Sequence, residues 1–307
     1  MRAMFSGGLG LAKLWKSERH GASLGLAAIA LAALLWAIAA VVARTLFQAG
    51  VTPFELTTSR AVIAAIGLGL TTQIWSVRRA RVKRWDARIL ALGLCLALVT
   101  ATYYVAISRL PVAIAIVIQY AGLTLVVVAG ALRRRQFPEP SVLAALLAAL
   151  LGVALLSGVF SSQFQLDSLG LMAAVLSGLF FASYTLLSEA VVNTYGPLGV
   201  MARGFLISSL FWLPIQLTQA FPQALFAAEN LPGILFVGIG GTLVPFSLMC
   251  WGIQQVKADR GAIAATLEPA FSAVLAWIWL GQTLTSMQIL GGLLVLGAVL
   301  LLQIRQK

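Results

Sequence analysis

RGAIAATLEPAFSAVLAWIWLG, residues 260–281, is an apolar run of about the length an α-helix needs to cross a bilayer, with one acid inside it. At about 1.5 Å rise per residue, Glu268 lies roughly 12 Å in from Arg260, far from either water layer. Pro269 follows it. A proline inside a helix supplies no N–H, so the carbonyl of Ala265 loses its partner and the ring pushes that turn aside. Lipid can solvate neither a carboxyl nor an opened backbone turn, so both require a polar interior walled by the rest of the chain. The bland use of the same residues is a protonated Glu packed for structure, or a simple kink at Pro269. Intramembrane acids are costly to keep, which favours a functional role.

Composition agrees with a membrane protein. The 307 residues are 61% hydrophobic and 10% charged, with a mean hydropathy of +0.98. Long runs without any charge make this a polytopic, all-α membrane protein, embedded in lipid. The net charge of +12 does not imply nucleic acid, because the basic residues sit in short blocks between apolar runs. Cys95 and Cys250 fall inside apolar segments and require no oxidising compartment. His20, the single histidine, lies outside the spans, which removes His-based metal sites and His-based nucleophilic catalysis. No ATP-binding loop is present, and no cofactor or metal is expected.

Ten spans are expected near 22–47, 53–75, 86–108, 111–131, 139–160, 168–193, 198–219, 230–256, 260–281 and 285–304. Proline and glycine punctuate them at Gly50 to Pro53, Leu110–Pro111, Phe137 to Pro140, Gly196–Pro197 and Leu231–Pro232. Residues 1–20 read as a cytoplasmic leader with Leu11, Leu14 and Trp15 on the membrane surface. The first span is too long for a secretory signal and is expected to stay uncleaved. With the N-terminus inside, all but four of the 21 basic residues fall on the cytoplasmic side. The other four are Arg44, Arg60, Arg109 and Arg203, of which only Arg109 clearly belongs to an outer loop. Both termini are therefore expected in the cytoplasm.

The chain also repeats itself. Leu24-Gly25-Leu26 returns as Leu169-Gly170-Leu171, 145 residues later, which sets Trp36 opposite Phe181. Leu151-Gly152-Val153-Ala154 aligns with Leu296-Gly297-Ala298-Val299 at the same interval. Arg60, seven residues after Pro53, matches Arg203, six after Pro197. The repeat predicts two halves, 21–160 and 161–307, with the polar stretch 157–168 as an outer linker. An odd number of spans per half inverts the second against the first, the arrangement of many secondary transporters.

Ten helices in two inverted fives, with a Pro beside a polar residue in the ninth, resemble the EamA-type branch of the drug/metabolite transporter superfamily. The residues that carry the resemblance are Gly261-Ala262-Ile263-Ala264-Ala265-Thr266-Leu267-Glu268-Pro269, then Leu280-Gly281-Gln282. The first half offers Ala113-Ile114-Ala115-Ile116-Val117-Ile118-Gln119-Tyr120. The chain departs from the family pattern at Gln282, where Glu is frequent, and at Gln119-Tyr120, where Glu-Pro would stand. Within the branch it looks most like the YddG amino-acid exporters. That resemblance implies export of aromatic and other neutral amino acids. It also implies a cavity lined by spans 1–4 and 6–9, with spans 5 and 10 as outer scaffold.

Polar and aromatic side chains inside spans are the candidates for binding substrate: Trp36, Tyr103, Tyr104, Gln119, Tyr120, Tyr184, Trp251 and Glu268. An interior rich in Trp and Tyr but poor in charge suits a small molecule with an apolar body and a small polar head. Tyr103 and Tyr104 are adjacent, so they point about 100° apart and at most one is expected to face a cavity squarely. Trp75 and Trp212 read as interfacial belt residues, and the hydroxyls of Ser183 and Ser188 as bonded to their own helix carbonyls. The remaining charges read as structural: Arg44 with Glu55 on the outer side, Glu189 with Arg203 on the inner. Arg60 is expected to join Glu55 or to hold a substrate carboxylate. An enzyme is not expected, since no Asp or His lies within a span. The internal repeat favours a monomer working by alternating access over a channel. Two cargoes remain open: neutral amino acids, or lipophilic drugs exchanged for protons.

Overall fold

A computed structural model of the chain describes residues 6–74, 86–121, 140–157, 167–256, 258–280 and 285–304, and every element among them is helical. They are α1 (Ser6–Gln48), α2 (Pro53–Ile74), α3 (Ala87–Arg109), α4 (Val112–Ala121), α5 (Pro140–Ser157), α6 (Ser168–Tyr195) and α7 (Pro197–Leu217). Then come the single turn α8 (Gln223–Phe226), α9 (Leu231–Gly238), a π-helical turn (Ile239–Leu243), α10 (Val244–Val256), α11 (Ala258–Ala265), α12 (Leu267–Leu280) and α13 (Ser286–Ile304). Among the described residues, five stretches are long and apolar enough to cross a membrane: Gly21–Gln48, Ala87–Arg109, Ser168–Tyr195, Pro197–Leu217 and Leu231–Val256. The basic blocks 78–84 and 133–135, Lys257, the linker 158–166 and the Gly281-Gln282 ending lie outside the described residues, as does Trp75.

The helix ends follow from local chemistry. The first described helix runs unbroken over Ser6–Gln48, with no proline inside it, and its membrane-crossing stretch Gly21–Gln48 matches the expected span; it stops before Gly50, which takes a φ of +92°. Asp86 caps α3 by accepting from Arg88 N at 3.0 Å, and Asp167 caps α6 by accepting from Gly170 N at 2.7 Å. Gly196, at φ +70°, turns the chain into Pro197 at the head of α7. The span 260–281 opens at Thr266, between α11 and α12. That is where Pro269 withholds the N–H that Ala265 O would accept.

The opening in 231–256 was not expected. Glycines 238, 240 and 241 precede Pro245, whose missing N–H leaves Gly241 O without its helical donor. The chain widens into a π turn there, with Val244 N–H reaching Ile239 O and Thr242 Oγ1 donating to Val237 O at 2.6 Å.

Most long packings join an early helix to a late one. α1 lies along α10, α2 along α7, α3 along α6 and α7, α4 along α6, and α5 along α13. Lipid gives helices no hydrophobic reason to associate, so close backbone approach through small residues supplies the attraction. A Cβ on Gly25 would stand 2.7 Å from Gln255 Cβ, and one on Gly170, 145 residues on, 2.9 Å from Leu110 Cγ. Likewise Gly93 meets Ile207 while Gly238 meets Ile63. Leu110 and Gln255 are themselves 145 residues apart, as are Gly93 and Gly238. Trp212 is not an interfacial belt residue. It is buried between α7 and α3, donating from Nε1 to Ala97 O at 3.0 Å, because α3 leaves it a carbonyl to satisfy its polar edge.

Candidate functional site

A cavity of about 40 Å³ lies among α1, α2, α3, α4, α6, the π turn, α10 and α12. Trp36, Tyr103, Tyr104, Gln119 and Glu268 all line it, five of the eight residues singled out from the sequence. Neither α5 nor α13 contributes a lining residue, and neither does α7.

Glu268 sits in the first turn of α12, just past the break at Thr266, where the positive end of the helix dipole favours an acid. It is 5% exposed, and Tyr120 donates to its Oε2 at 2.6 Å. Tyr120 thus stands behind the wall and holds the acid in place. The break set by Pro269 and this one hydrogen bond fix the carboxylate's direction.

Tyr103 and Tyr104 both face the space, against the expectation that one would turn away. Their rings lie 5.7 Å apart and tilted by 38°, and both line the cavity. Tyr184 lies outside the lining, fully buried beside Phe181 and Phe246, with ring centroids 6.0 and 5.6 Å away. Trp251 is half-buried outside it too; five residues beyond Phe246 turns a helical side chain roughly 140° away.

Two aromatic walls were missed: Phe181 and Phe246, on which Trp36 stands edge-on at 6.0 and 5.0 Å. The interval that pairs Trp36 with Phe181 was the available signal. Arg60 was expected to join Glu55 or to hold a substrate carboxylate. It does not reach Glu55. It is 5% exposed, faces the cavity, and donates from Nη1 to Tyr104 OH at 2.9 Å. Its guanidinium carbon lies 5.3 Å from the Tyr104 ring centroid and 5.4 Å from that of Phe246. Among the described residues its Nε and Nη2 have no partner, a deficit that costs about 1–3 kcal/mol for a buried donor. Arg60 and Glu268 face the same space without forming an ion pair with each other.

The other charges serve the framework, with partners that differ from those expected. Arg44 caps the end of α3, donating to Ile107 O at 2.6 Å and Ser108 O at 3.0 Å, since those carbonyls have no helical donor. Glu55 instead accepts from Thr52 N at 2.7 Å, closing the head of α2. Arg203 donates to Gly199 O at 2.8 Å and lies over the Tyr195 ring, rather than meeting the half-buried Glu189. Arg109 donates to Asp167 at 3.0 Å, a surface pair the sequence reading did not include. The Gly170 N–H and then Arg109 hold the Asp167 carboxyl below the usual range.

Most hydroxyls in the spans bond their own helix: Thr100 to Leu96 O, Thr102 to Leu98 O, Ser183 to Leu179 O and Ser247 to Leu243 O. Ser177 crosses to Val99 O at 3.1 Å and ties α6 to α3. Among the described residues, no group of three or more His, Cys, Asp or Glu stands together to hold a metal.

The sequence profile of the EamA-like transporter family matches residues 23–158 and again 168–304. The chain is 30% identical over 245 residues to the threonine/homoserine exporter RhtA of Escherichia coli (strain K12), covering 78% of each chain. It is 27% identical to the uncharacterized transporter YwfM of Bacillus subtilis (strain 168), over 88% of this chain and 92% of that one. A solved crystal structure superposes with a TM-score of 0.74 at 19% identity, covering 94% of this chain and 97% of that one; this likeness concerns the fold.

Proposed function

This chain belongs to the EamA-like transporter family, and from that premise we propose that it is a secondary transporter exporting neutral amino acids, aromatic ones above all. It works as a monomer in the cytoplasmic membrane, with both termini inside. Two inverted five-helix halves, 21–160 and 161–307, rock about the cavity to expose it to one side at a time.

The observation that carries this reading is the cavity itself: an aromatic wall of Trp36, Tyr103, Phe181 and Phe246 around very few charges. Such a wall takes a flat apolar body, and does not take a sugar or a phosphate. The exporter of threonine and homoserine among the relatives supports amino acids over lipophilic drugs as the cargo class. The helix pairing supports the inverted halves. Exchanging each of the five first-half spans for its counterpart turns the α3–α6 packing into that of the tenth and first helices, and leaves α2–α7 and α5–α13 unchanged.

The test is counterflow in proteoliposomes. Vesicles preloaded with unlabelled phenylalanine are expected to accumulate labelled phenylalanine transiently, and threonine to compete less well. Accumulation of lipophilic cations instead, with no response to amino acids, would replace this reading with drug efflux.

A further inference from the structure

We propose, resting on that reading, that Arg60 and Glu268 are the two ends of a head-group site. The Nε–H and Nη2–H of Arg60 take the substrate's α-carboxylate as a fork, and Glu268 takes its α-ammonium.

The arginine is built for a ligand rather than for the fold. Its guanidinium carbon lies within 5.4 Å of the Tyr104 and Phe246 ring centroids, and Nη1 donates to Tyr104 OH. What remains is the edge formed by Nε and Nη2, whose two N–H bonds run side by side at the spacing of carboxylate oxygens. A framework arginine in this chain spends its donors on backbone carbonyls, as Arg44 does on Ile107 and Ser108 and Arg203 does on Gly199. Arg60, 5% exposed, keeps its best edge without a partner and faces the cavity.

The acid completes the site. Tyr120 donates to Oε2 of Glu268, and a carboxylate has a second oxygen with which to accept from an ammonium. Opposite charges facing one cavity would normally close on each other. Here the aromatic pair holds one and Tyr120 holds the other, so neither neutralises its counterpart. A zwitterion carries both complementary charges on one carbon and satisfies the two together. An amine or an acid alone satisfies one end and leaves the other charge buried and unmatched.

The experiment uses the full chain in proteoliposomes and three molecules with the same phenyl body: L-phenylalanine, phenethylamine and 3-phenylpropionate. In wild type, each single-charge analogue is expected to inhibit phenylalanine counterflow at least about tenfold more weakly than phenylalanine itself. Arg60→Gln is expected to narrow the gap for phenethylamine only, and Glu268→Gln the gap for 3-phenylpropionate only, a crossed pattern that a structural role does not produce. The assignment is overturned if either analogue matches phenylalanine in wild type, or if both variants weaken all three equally. The wild-type series decides even where a variant fails to fold. Absence of any phenylalanine exchange would instead remove the amino-acid reading beneath the assignment.

Discussion

Trp36 and Phe181 meet edge to face, ring centroids 6.0 Å apart, although 145 residues separate them. The same interval separates Gly25 from Gly170 and Leu110 from Gln255, and each glycine is seated against the partner its counterpart's neighbour predicts. Two residues at equivalent places in a repeat can touch only where the repeats face one another. The cavity wall therefore begins where the two family-matched stretches, 23–158 and 168–304, meet.

Trp36→Ala removes two edge-to-face aromatic contacts, with Phe181 and Phe246, from the cavity wall. Each such contact is worth roughly 0.5–1.5 kcal/mol, so KM for an aromatic substrate is expected to rise about tenfold. Trp36→Phe is expected to recover most of that. Initial rates of exchange against substrate concentration measure it; an unchanged KM for Trp36→Ala would detach the wall from recognition.

Glycine packing gives a stability prediction. A Cβ at Gly252 would lie 2.9 Å from the backbone oxygen of Gly25 and closer still to Ile29, so the α1–α10 contact cannot accept it. Gly252→Val is expected to cost about 1–3 kcal/mol and to lower the melting temperature in detergent. Gly297→Ala, where nothing among the described residues lies within 4 Å, is expected to leave it unchanged or slightly higher. Equal effects from the two would mean that the close approach contributes nothing.

Charge bookkeeping gives a third. A site holding one arginine and one carboxylate, filled by a zwitterion, carries no net charge in either state. Uptake is expected to be indifferent to a potassium diffusion potential imposed with valinomycin. A rate that follows the sign of the potential would require a charge to travel with the substrate.

Orientation is testable by labelling. In a variant lacking Cys95 and Cys250, a cysteine at Gln223 is expected to react with an impermeant reagent in intact cells, and one at Val82 to stay silent. Reaction at Val82 from outside would invert the assignment.

The sequence disclosed the break at Thr266 because proline acts through a covalent fact, a missing N–H four residues from Ala265. Glu268 and Gln119 were visible for a related reason: polar atoms in an apolar run need an interior. Direction around a helix was harder to read. In water an apolar stripe marks the buried face, whereas in lipid both faces are apolar and the stripe disappears. Hence Arg60 was left open between Glu55 and a substrate carboxylate, Phe246 was overlooked between Pro245 and Ser247, and Trp212 was placed at the interface. The π turn escaped because glycines before a proline announce a disturbance without saying which way the ladder will shift.

The pairing of early helices with late ones bears on how the chain is made. While the ribosome still holds the second half, α1, α2, α3 and α5 have their long packing partners missing, and their small-residue faces meet only lipid. The newborn first half is a set of inserted but unclasped rods, exposed to quality-control proteases until translation ends. Among the described helices α5 waits longest, since its principal neighbour, α13, follows all the others along the chain. A premature stop before Ser286 thus removes far more than nineteen residues of helix: it leaves the first half without its final clasp.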